Sequence, residues 1–495
     1  MPLQSSSVKL LVLLYVTLFM VAMGYAISFI PFSTTAAPKE AFSKTTDSTI
    51  SIETRTPSST RYLAPPDFNS QKALGYKPGK TFKVPNGLGF RVDFWKKIYS
   101  QYSTDQIVIH DNKSMIIYAI VDISDINRKK GIGARNRQRL KNRRINYVKN
   151  KYSKILRHIH ENRKNPRKLS GESLRLFQEF KRVKGKNKFL TSSSIKYIRA
   201  QLGQKDKFIQ GMFYAGQYLE QMEKIFAEQD IPMELTRIPF VESSFNIRAR
   251  SKVGASGIWQ FIRTTGKLFL KINNSVDERN DPIKSTYAAA KLLKQNYNTL
   301  KSWPLAVTAY NHGRGGMVQA VKRSGTKDIA WIANNYKSRT FGFASRNFYA
   351  EFLAALEVQT EYSSYLGKVK IADPVEFDTV KIQYSMSVSA LERYCRIDRK
   401  VLKPLNPALS RRVWSGQRYI PQGYELRIPK GRKRQFIARL KSVPKFKKSS
   451  RRYTVRKGDT LGRIAQKHKT TVNKIQTVNK IKGTKIQVGQ ILIIP

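Results

Sequence analysis

Polar and apolar positions change rhythm several times along the 495-residue chain. Residues 10–32, LLVLLYVTLFMVAMGYAISFIPF, are apolar and uncharged, with Lys9 just ahead. Such a run is long enough to cross a bilayer as a helix. It exceeds the usual core of a cleaved leader, so the favoured reading is an uncleaved anchor behind a cytoplasmic segment at 1–9. Cleavage near Gly24 or Ala26 is the alternative. Residues 33–84, rich in Ser, Thr, Pro and Ala, lack periodicity and read as a flexible linker. Over 85–127, VDFWKKIYSQY predicts a short helix, and the alternating IVIH and MIIYAIVDI predict one or two strands that suit a hairpin.

Residues 128–168 are densely basic, with Glu161 the only acid. Within them Ile145, Val148, Tyr152, Ile155, Leu156 and Ile159 recur at helical spacing, which predicts a helix with one packed stripe and a basic face. Residues 170–370 read as mostly helical, with helical spacing at 285–300, 304–311 and 347–360 and breaks at KVGASG and NHGRGG. Short β-rich pieces follow over 372–430, then a basic linker at 431–452 and a compact terminal unit at 453–495. The chain divides on this reading into a basic, mostly helical domain (85–220), a helical domain (221–371), a module at 376–430 and the terminal module.

Charge and cysteine content narrow the field. The balance of 92 Lys+Arg against 33 Asp+Glu, a formal charge of +59, favours polyanionic partners such as an anionic wall or membrane surface. Export makes nucleic acid an unexpected partner. Cys395 is the only cysteine, which excludes a disulfide framework and a lipoprotein anchor after the apolar run. The five His show no ligand spacing, so no metal and no cofactor are expected.

One carboxylate stands out. In PFVESSFNIRARSKVGASGIWQF (239–261) Glu242 is the only acid. A helix over 232–245, kinked at Pro239, would place Leu235, Ile238 and Glu242 on one apolar face, with Glu234 near its start. Burial and the C-terminal end of the helix dipole both push a carboxyl pKa upward. That suits a general acid for a glycosidic oxygen. Ordinary glycosidases use two carboxylates, and no partner is evident from spacing. Glu234 lies on the same helix, and DERNDP (277–282) looks like loop and cap. One carboxylate suffices if an N-acetylmuramic acid (MurNAc) substrate supplies its acetamido oxygen and its own 6-hydroxyl.

The terminal module starts with a strand at Tyr453–Val455 and a Gly458-Asp459 turn. Thr460 caps a first helix, a second ends near Asn479, and VGQILIIP returns as a strand. This β-α-α-β pattern closely resembles a LysM domain, which binds N-acetylglucosamine (GlcNAc)-containing chains. Residues 376–430 repeat the order without the Gly-Asp turn, and Asn406 answers to Asn479. They are read as a degenerate LysM-like repeat.

The motifs ESSFN, GASGIWQF, DERNDP and AYNHGRG resemble the successive motifs of the lytic transglycosylase catalytic domain, of a goose-lysozyme-related, mainly α lysozyme-like fold. The resemblance implies a periplasmic enzyme that cuts the MurNAc–GlcNAc β-1,4 bond of peptidoglycan and leaves 1,6-anhydroMurNAc ends. It implies Glu242 as the single acid/base and Ser243 as support for its helix. Ser251, Gly257 and Gln260 would line the cleft, with Tyr310, Asn311 and Tyr349 facing the sugar. Trp259 stands where many relatives have Met; sugar stacking and core packing are its two readings. His312 stands where Ala is common; a donor that supports Asn311 from behind is one reading, and a solvent-facing or satisfied core histidine is the expected one. A hydrolase of the same fold and a non-catalytic wall tether are the rival functions.

Overall fold

The computed structural model describes residues 81–443 and 451–494, apart from 469 and 480. The expected anchor and most of the linker lie outside the described residues, none of whose helices is long and apolar enough to cross a membrane. The chain forms two units, one of residues up to 272 with 278–375 and one of 273–277 with 376 onward.

The first unit holds two cores that share one strand. Helix α1 (Gly89–Ser100) leads to an antiparallel sheet in the order β2-β1-β3, with β1 Gln106–Asp111, β2 Ile117–Asp122 and β3 Ile198–Leu202. Successive side chains of a strand point to opposite faces. Val108 of β1 accordingly joins the main helical core, while Ile107 and Ile109 join a smaller one. The smaller core is closed by α2 (Ala134–Asn162), which buries Tyr152, Leu156 and Ile159. Ile145, Val148 and Ile155 pack half-buried beside them. The predicted stripe therefore holds, and most of the Lys and Arg of α2 are exposed.

The expected domain at 85–220 divides differently. Its α1 and α3 (Lys205–Gly216) belong to the main core, and the basic segment is an α/β insertion between them. Strand β3, in a stretch read as helical, pairs with β1 from Ile107↔Leu202 to Asp111↔Ile198. Its five residues carry too little pattern to separate strand from helix without that distant partner.

The main core is helical. It contains α4 (Leu219–Ala227), α5 (Ile238–Ser243), α6 (Pro282–Leu300), α7 (Trp303–His312), α8 (Arg314–Ser324) and α9 (Phe343–Thr360). Helix α9 is the hub and packs on α1, α5 and α7. Arg91 of α1 donates to Asn347 of α9 at 3.0 Å, with both residues buried. Gly313 alone breaks the chain between α7 and α8, whereas Gly315 and Gly316, expected in the break, are helical.

The second unit carries the two modules. In the first, β4 (Phe377–Lys381) pairs antiparallel with β5 (Glu425–Pro429) around α10 (Val388–Cys395) and α11 (Arg399–Leu405). In the last, β6 (Arg451–Thr454) pairs with β7 (Ile491–Ile494) around α12 (Leu461–Lys467) and α13 (Val472–Asn479). The repeat is visible as one hydrogen-bond clamp used twice. Asn406 accepts from Arg427 N at 2.9 Å and donates to Arg427 O at 2.7 Å. Asn479 does the same with Ile493, at 2.6 Å each way. Two expected boundaries change. Residues 433–440, read as linker, form a helix that buries Phe436 and Leu440 in the first module's core. Residues 273–277, read within the helical domain, add Val276 to that same core.

Candidate active site

Glu242 sits one residue from the end of α5. The expected kinked helix is instead a 3-10 turn, Met233–Arg237, followed by α5. Pro232 precedes the turn and Pro239 lies in the first turn of α5, where its missing N–H has no bond to lose. Both prolines therefore start elements. Leu235 and Ile238 are fully buried, as expected of that face. Arg237 anchors the junction through a buried ion pair with Glu223 of α4 and a 2.8 Å bond to Gln359 of α9. Glu234 is 5 % exposed and belongs to the packed turn.

The chain leaves α5 through two left-handed residues, Ser244 (φ 49°) and Phe245 (φ 55°). Non-glycine residues adopt this conformation only when their surroundings impose it, at a cost of ~1–3 kcal/mol each. The fully buried Phe245 ring, edge-on to Phe240 with centroids 4.7 Å apart, supplies that constraint. Backbone N–H groups of Ser244 and Phe245 close back onto Phe240 O and Pro239 O. Glu242 is thus carried on a short, firmly terminated helix.

The Glu242 carboxyl is partly open to solvent yet enclosed enough that burial pushes its pKa up to about 8. Tyr310 of α7 faces it: burial first, and the Glu242 charge second, hold the phenol well above its usual range. Tyr310 donates to Trp259 O at 2.7 Å, and its ring stacks on Phe348 of α9. Tyr310→Phe removes that donor and leaves the carbonyl unpaired. It is expected to cost ~1–3 kcal/mol, read as a lower melting temperature; an unshifted melt would show the bond to be dispensable.

The Gly-rich loop is tied to α5 from behind. Ser243 donates to Ile258 O at 2.8 Å. Ser251 accepts from Ala255 N at 3.0 Å and closes the loop's first turn. Gln260, itself left-handed at φ 48°, donates to Gly257 O at 2.7 Å. Arg279, 4 % exposed, donates to Gly254 O at 2.8 Å and Phe261 O at 3.0 Å, spanning the loop. Asn280 accepts from Ser256 at 2.6 Å. The segment read as loop and cap does cap α6, through Asp281, but its Arg279 and Asn280 also hold the site together. Sequence spacing carried no signal for that.

Two expected cleft residues belong to the core. Trp259 is 0 % exposed, stacks on Phe226 and donates to Thr286 at 2.9 Å, so it offers no face to a sugar. Tyr349 is 2 % exposed and packs on Phe352, so its ring is a core ring. Both side chains fill interior volume next to the site. Asn311 stays half-buried and accepts from Ser345 at 3.0 Å. His312 is buried, and its Nδ1 lies 3.2 Å from the same Ser345 hydroxyl. That hydroxyl has one proton, which goes to Asn311, so Nδ1 carries the other. Burial lowers the His312 pKa to about 4, so the ring is a neutral core histidine that reaches Asn311 only through Ser345.

The residue missed by sequence is Glu351, on α9. Burial first, and the charge of Glu242 second, push its carboxyl up to about 8. A faint signal existed: Glu351 is the only acid among the apolar positions of NFYAEFLAAL. An open concavity of about 480 Å³, lined by Asp230, Glu234, Tyr297 and Trp303 among others, includes none of these site residues.

Residues 222–332 match the Transglycosylase SLT domain family, residues 376–445 the family described as lytic transglycosylase MltD, LysM-like domain, and residues 453–495 the LysM domain family. The membrane-bound lytic murein transglycosylase D of Escherichia coli (strain K12) is 29 % identical over 320 residues, spanning 59 % of this chain and 68 % of that protein. A putative tributyltin chloride resistance protein of Alteromonas sp. (strain M-1) is 34 % identical over 96 residues, 19 % of this chain and 46 % of that one. Among solved structures, the 70 kDa soluble lytic transglycosylase of Escherichia coli aligns at 18 % identity and a TM-score of 0.26, over 37 % of this chain and 28 % of that one.

Proposed function

We propose that this chain, a peptidoglycan lytic transglycosylase with C-terminal LysM modules, uses Glu242 first as acid and then as base. The observation that carries the assignment is a carboxyl held protonated at neutral pH, facing Tyr310, at the end of a rigidly terminated helix. Glu242 gives its proton to the leaving glycosidic oxygen as the C1–O4 bond breaks. The carboxylate then takes the proton of the 6-hydroxyl as the C1–O6 bond forms, which restores the acid. Ser243, Gln260 and Asn311 maintain the walls around it through the bonds described above. Mass analysis of products from purified sacculi tests the reaction: anhydro ends are expected, and reducing ends alone would establish the hydrolase.

The last module supplies affinity for glycan. Its core is complete without the remainder of the chain: Val455, Leu461, Ile464, Ile475 and Leu492 cluster together. Deleting residues 453–495 is expected to weaken sacculus binding in a pelleting assay while cleavage of short soluble fragments stays nearly constant. Undiminished binding would remove this role.

The basic face of α2 is directed at an anionic wall or membrane surface. Exposed charges act over about 10 Å at 0.1 M salt and about 3 Å at 1 M. Sacculus binding is therefore expected to fall steadily across that range, and a flat response would assign those charges elsewhere. Residues 10–32 would hold the enzyme at the periplasmic side of the inner membrane.

A further inference from the structure

Helix α9 brings a second carboxyl to the site. Glu351 lies one helical turn after Phe348, whose ring is parallel to that of Tyr310 with centroids 6.4 Å apart. Residues three apart share a helix face, so Glu351 lies on the side of α9 turned toward α5 and α7, both of which α9 packs against. It is half-buried, and among the described residues its carboxyl, like that of Glu242, accepts no hydrogen bond and forms no ion pair. Tyr99 of α1, 1 % exposed, feels the charge of both carboxyls. From the insertion, Arg199 of β3 stands with its guanidinium carbon 3.9 Å from the Phe343 ring centroid of α9 and favours the ionised form of Glu351. Tyr310 of α7 feels the Glu242 charge and bonds Trp259 O, and several other polar groups on elements around α9 have partners of their own. Arg91 bonds Asn347, Lys96 pairs with Asp93 and Glu357, Tyr365 bonds Glu357, Arg237 pairs with Glu223, and His312 is neutral. The charge of Glu242 reaches Glu351, which places the two carboxyls in one enclosed region where α9 packs on α5.

We propose that Glu351 is a positioning residue that acts through Glu242: the charge of either carboxyl opposes ionisation of the other, so that Glu242 keeps its acid form further into alkaline solution than it would alone. The inference rests on the reading of Glu242 as the proton carrier. Two neighbouring carboxyls ionise in two steps that belong to the pair, because the second anion must form beside the first. When Glu242 has released its proton to the leaving oxygen, a neutral Glu351 adds no repulsion. When Glu351 is ionised, its charge raises the affinity of Glu242 for a proton. Arg199 sets the balance from the far side, which links the basic insertion to the chemistry.

The test is the pH profile of kcat/KM on a soluble glycan fragment for the full chain, Glu351→Gln, Glu351→Asp and Glu242→Gln. With a coupling of about one pH unit, Glu351→Gln is expected to match the wild type near pH 6. Its alkaline midpoint should fall by about half a unit and its rate at pH 9 by about fourfold. Glu351→Asp, which keeps the charge, should return the limb toward the wild-type position. A superimposable Gln profile overturns the inference. Activity in Glu242→Gln would instead overturn the reading beneath it, so the two failures are distinguishable. If Glu351→Gln does not fold, infrared titration of carboxyl groups in the wild type and in Glu242→Gln decides the matter. A band titrating above neutrality that moves to lower pH when Glu242 is replaced is expected, and an unmoved band overturns the proposal.

Discussion

Glu242→Gln is expected to lower kcat/KM on sacculi and soluble fragments by ~10⁴-fold or more. A general acid/base contributes ~10²–10⁴, and here one group serves both halves of the reaction. The amide keeps the size and most of the hydrogen-bonding capacity of the acid, so binding should persist. The proton requirement also sets the pH dependence of the wild type. With the carboxyl pushed up to about 8, the acid form is present at neutrality and lost as pH rises through about 8, and the rate should fall with it. Stability moves the other way for the variant. A carboxyl whose pKa is raised on folding stabilises the native state fully below its unfolded value near 4.5, and that contribution is lost as pH rises through the folded value. Glu242→Gln has no such loss. Its melting temperature should exceed that of the wild type by an amount that opens above about pH 4.5 and levels off above about pH 8. Release of anhydro products at a near wild-type rate would refute the assignment. Glu234→Gln, the natural control for a carboxylate that serves the helix start, is compromised because Glu234 is 5 % exposed in a packed turn.

How much of this was legible before the fold was known depends on the range of the interactions concerned. The stripe of α2, the helices around 285–300 and 347–360 and the β-α-α-β order of the last module follow from local periodicity, which survives in the structure. The repeat of the module was readable down to Asn406 and Asn479, because a clamp between a helix end and a returning strand fixes both residue type and spacing. Glu242 was legible through contrast, as one acid among apolar neighbours. Long-range facts were not. Strand β3 takes its identity from β1, some ninety residues upstream. Arg279 holds the Gly-rich loop through contacts up to 25 residues away in sequence, and Glu351 feels the charge of Glu242 only because α9 packs on α5. Trp259 and Tyr349 show the opposite error. Aromatics beside a sugar site suggest stacking platforms, yet the same ring area serves a core equally well, and burial decides for the core.

Gly257→Ala is expected to cost ~3 kcal/mol or more, read as a fall in melting temperature of roughly 5 °C or more, with activity lost alongside. Gly257 has φ +80°, a conformation that side-chain-bearing residues adopt only under strain. A Cβ there would lie 1.8 Å from Arg279 O and 2.8 Å from Arg279 C. Both are main-chain atoms, and Arg279 is itself fixed by its bonds to Gly254 O and Phe261 O, so the neighbour cannot swing aside. The loop must move instead. Gly257 N donates to Ala249 O at 3.1 Å and Gly257 O accepts from the Gln260 side chain at 2.7 Å, so displacement reaches Gln260 directly. It also reaches Ile258 O, which holds Ser243 and through it the helix that carries Glu242. Gly254 separates the two contributions. It has nearly the same φ, +83°, but a Cβ there would meet nothing within 4 Å. Gly254→Ala therefore reports the conformational cost alone, ~1–3 kcal/mol, with Glu242 undisturbed and activity largely kept. The difference between the two variants isolates the close approach of the loop to Arg279. Equal melting temperatures and equal activities would show that the loop yields at this point, and that the placement of Glu242 does not depend on it.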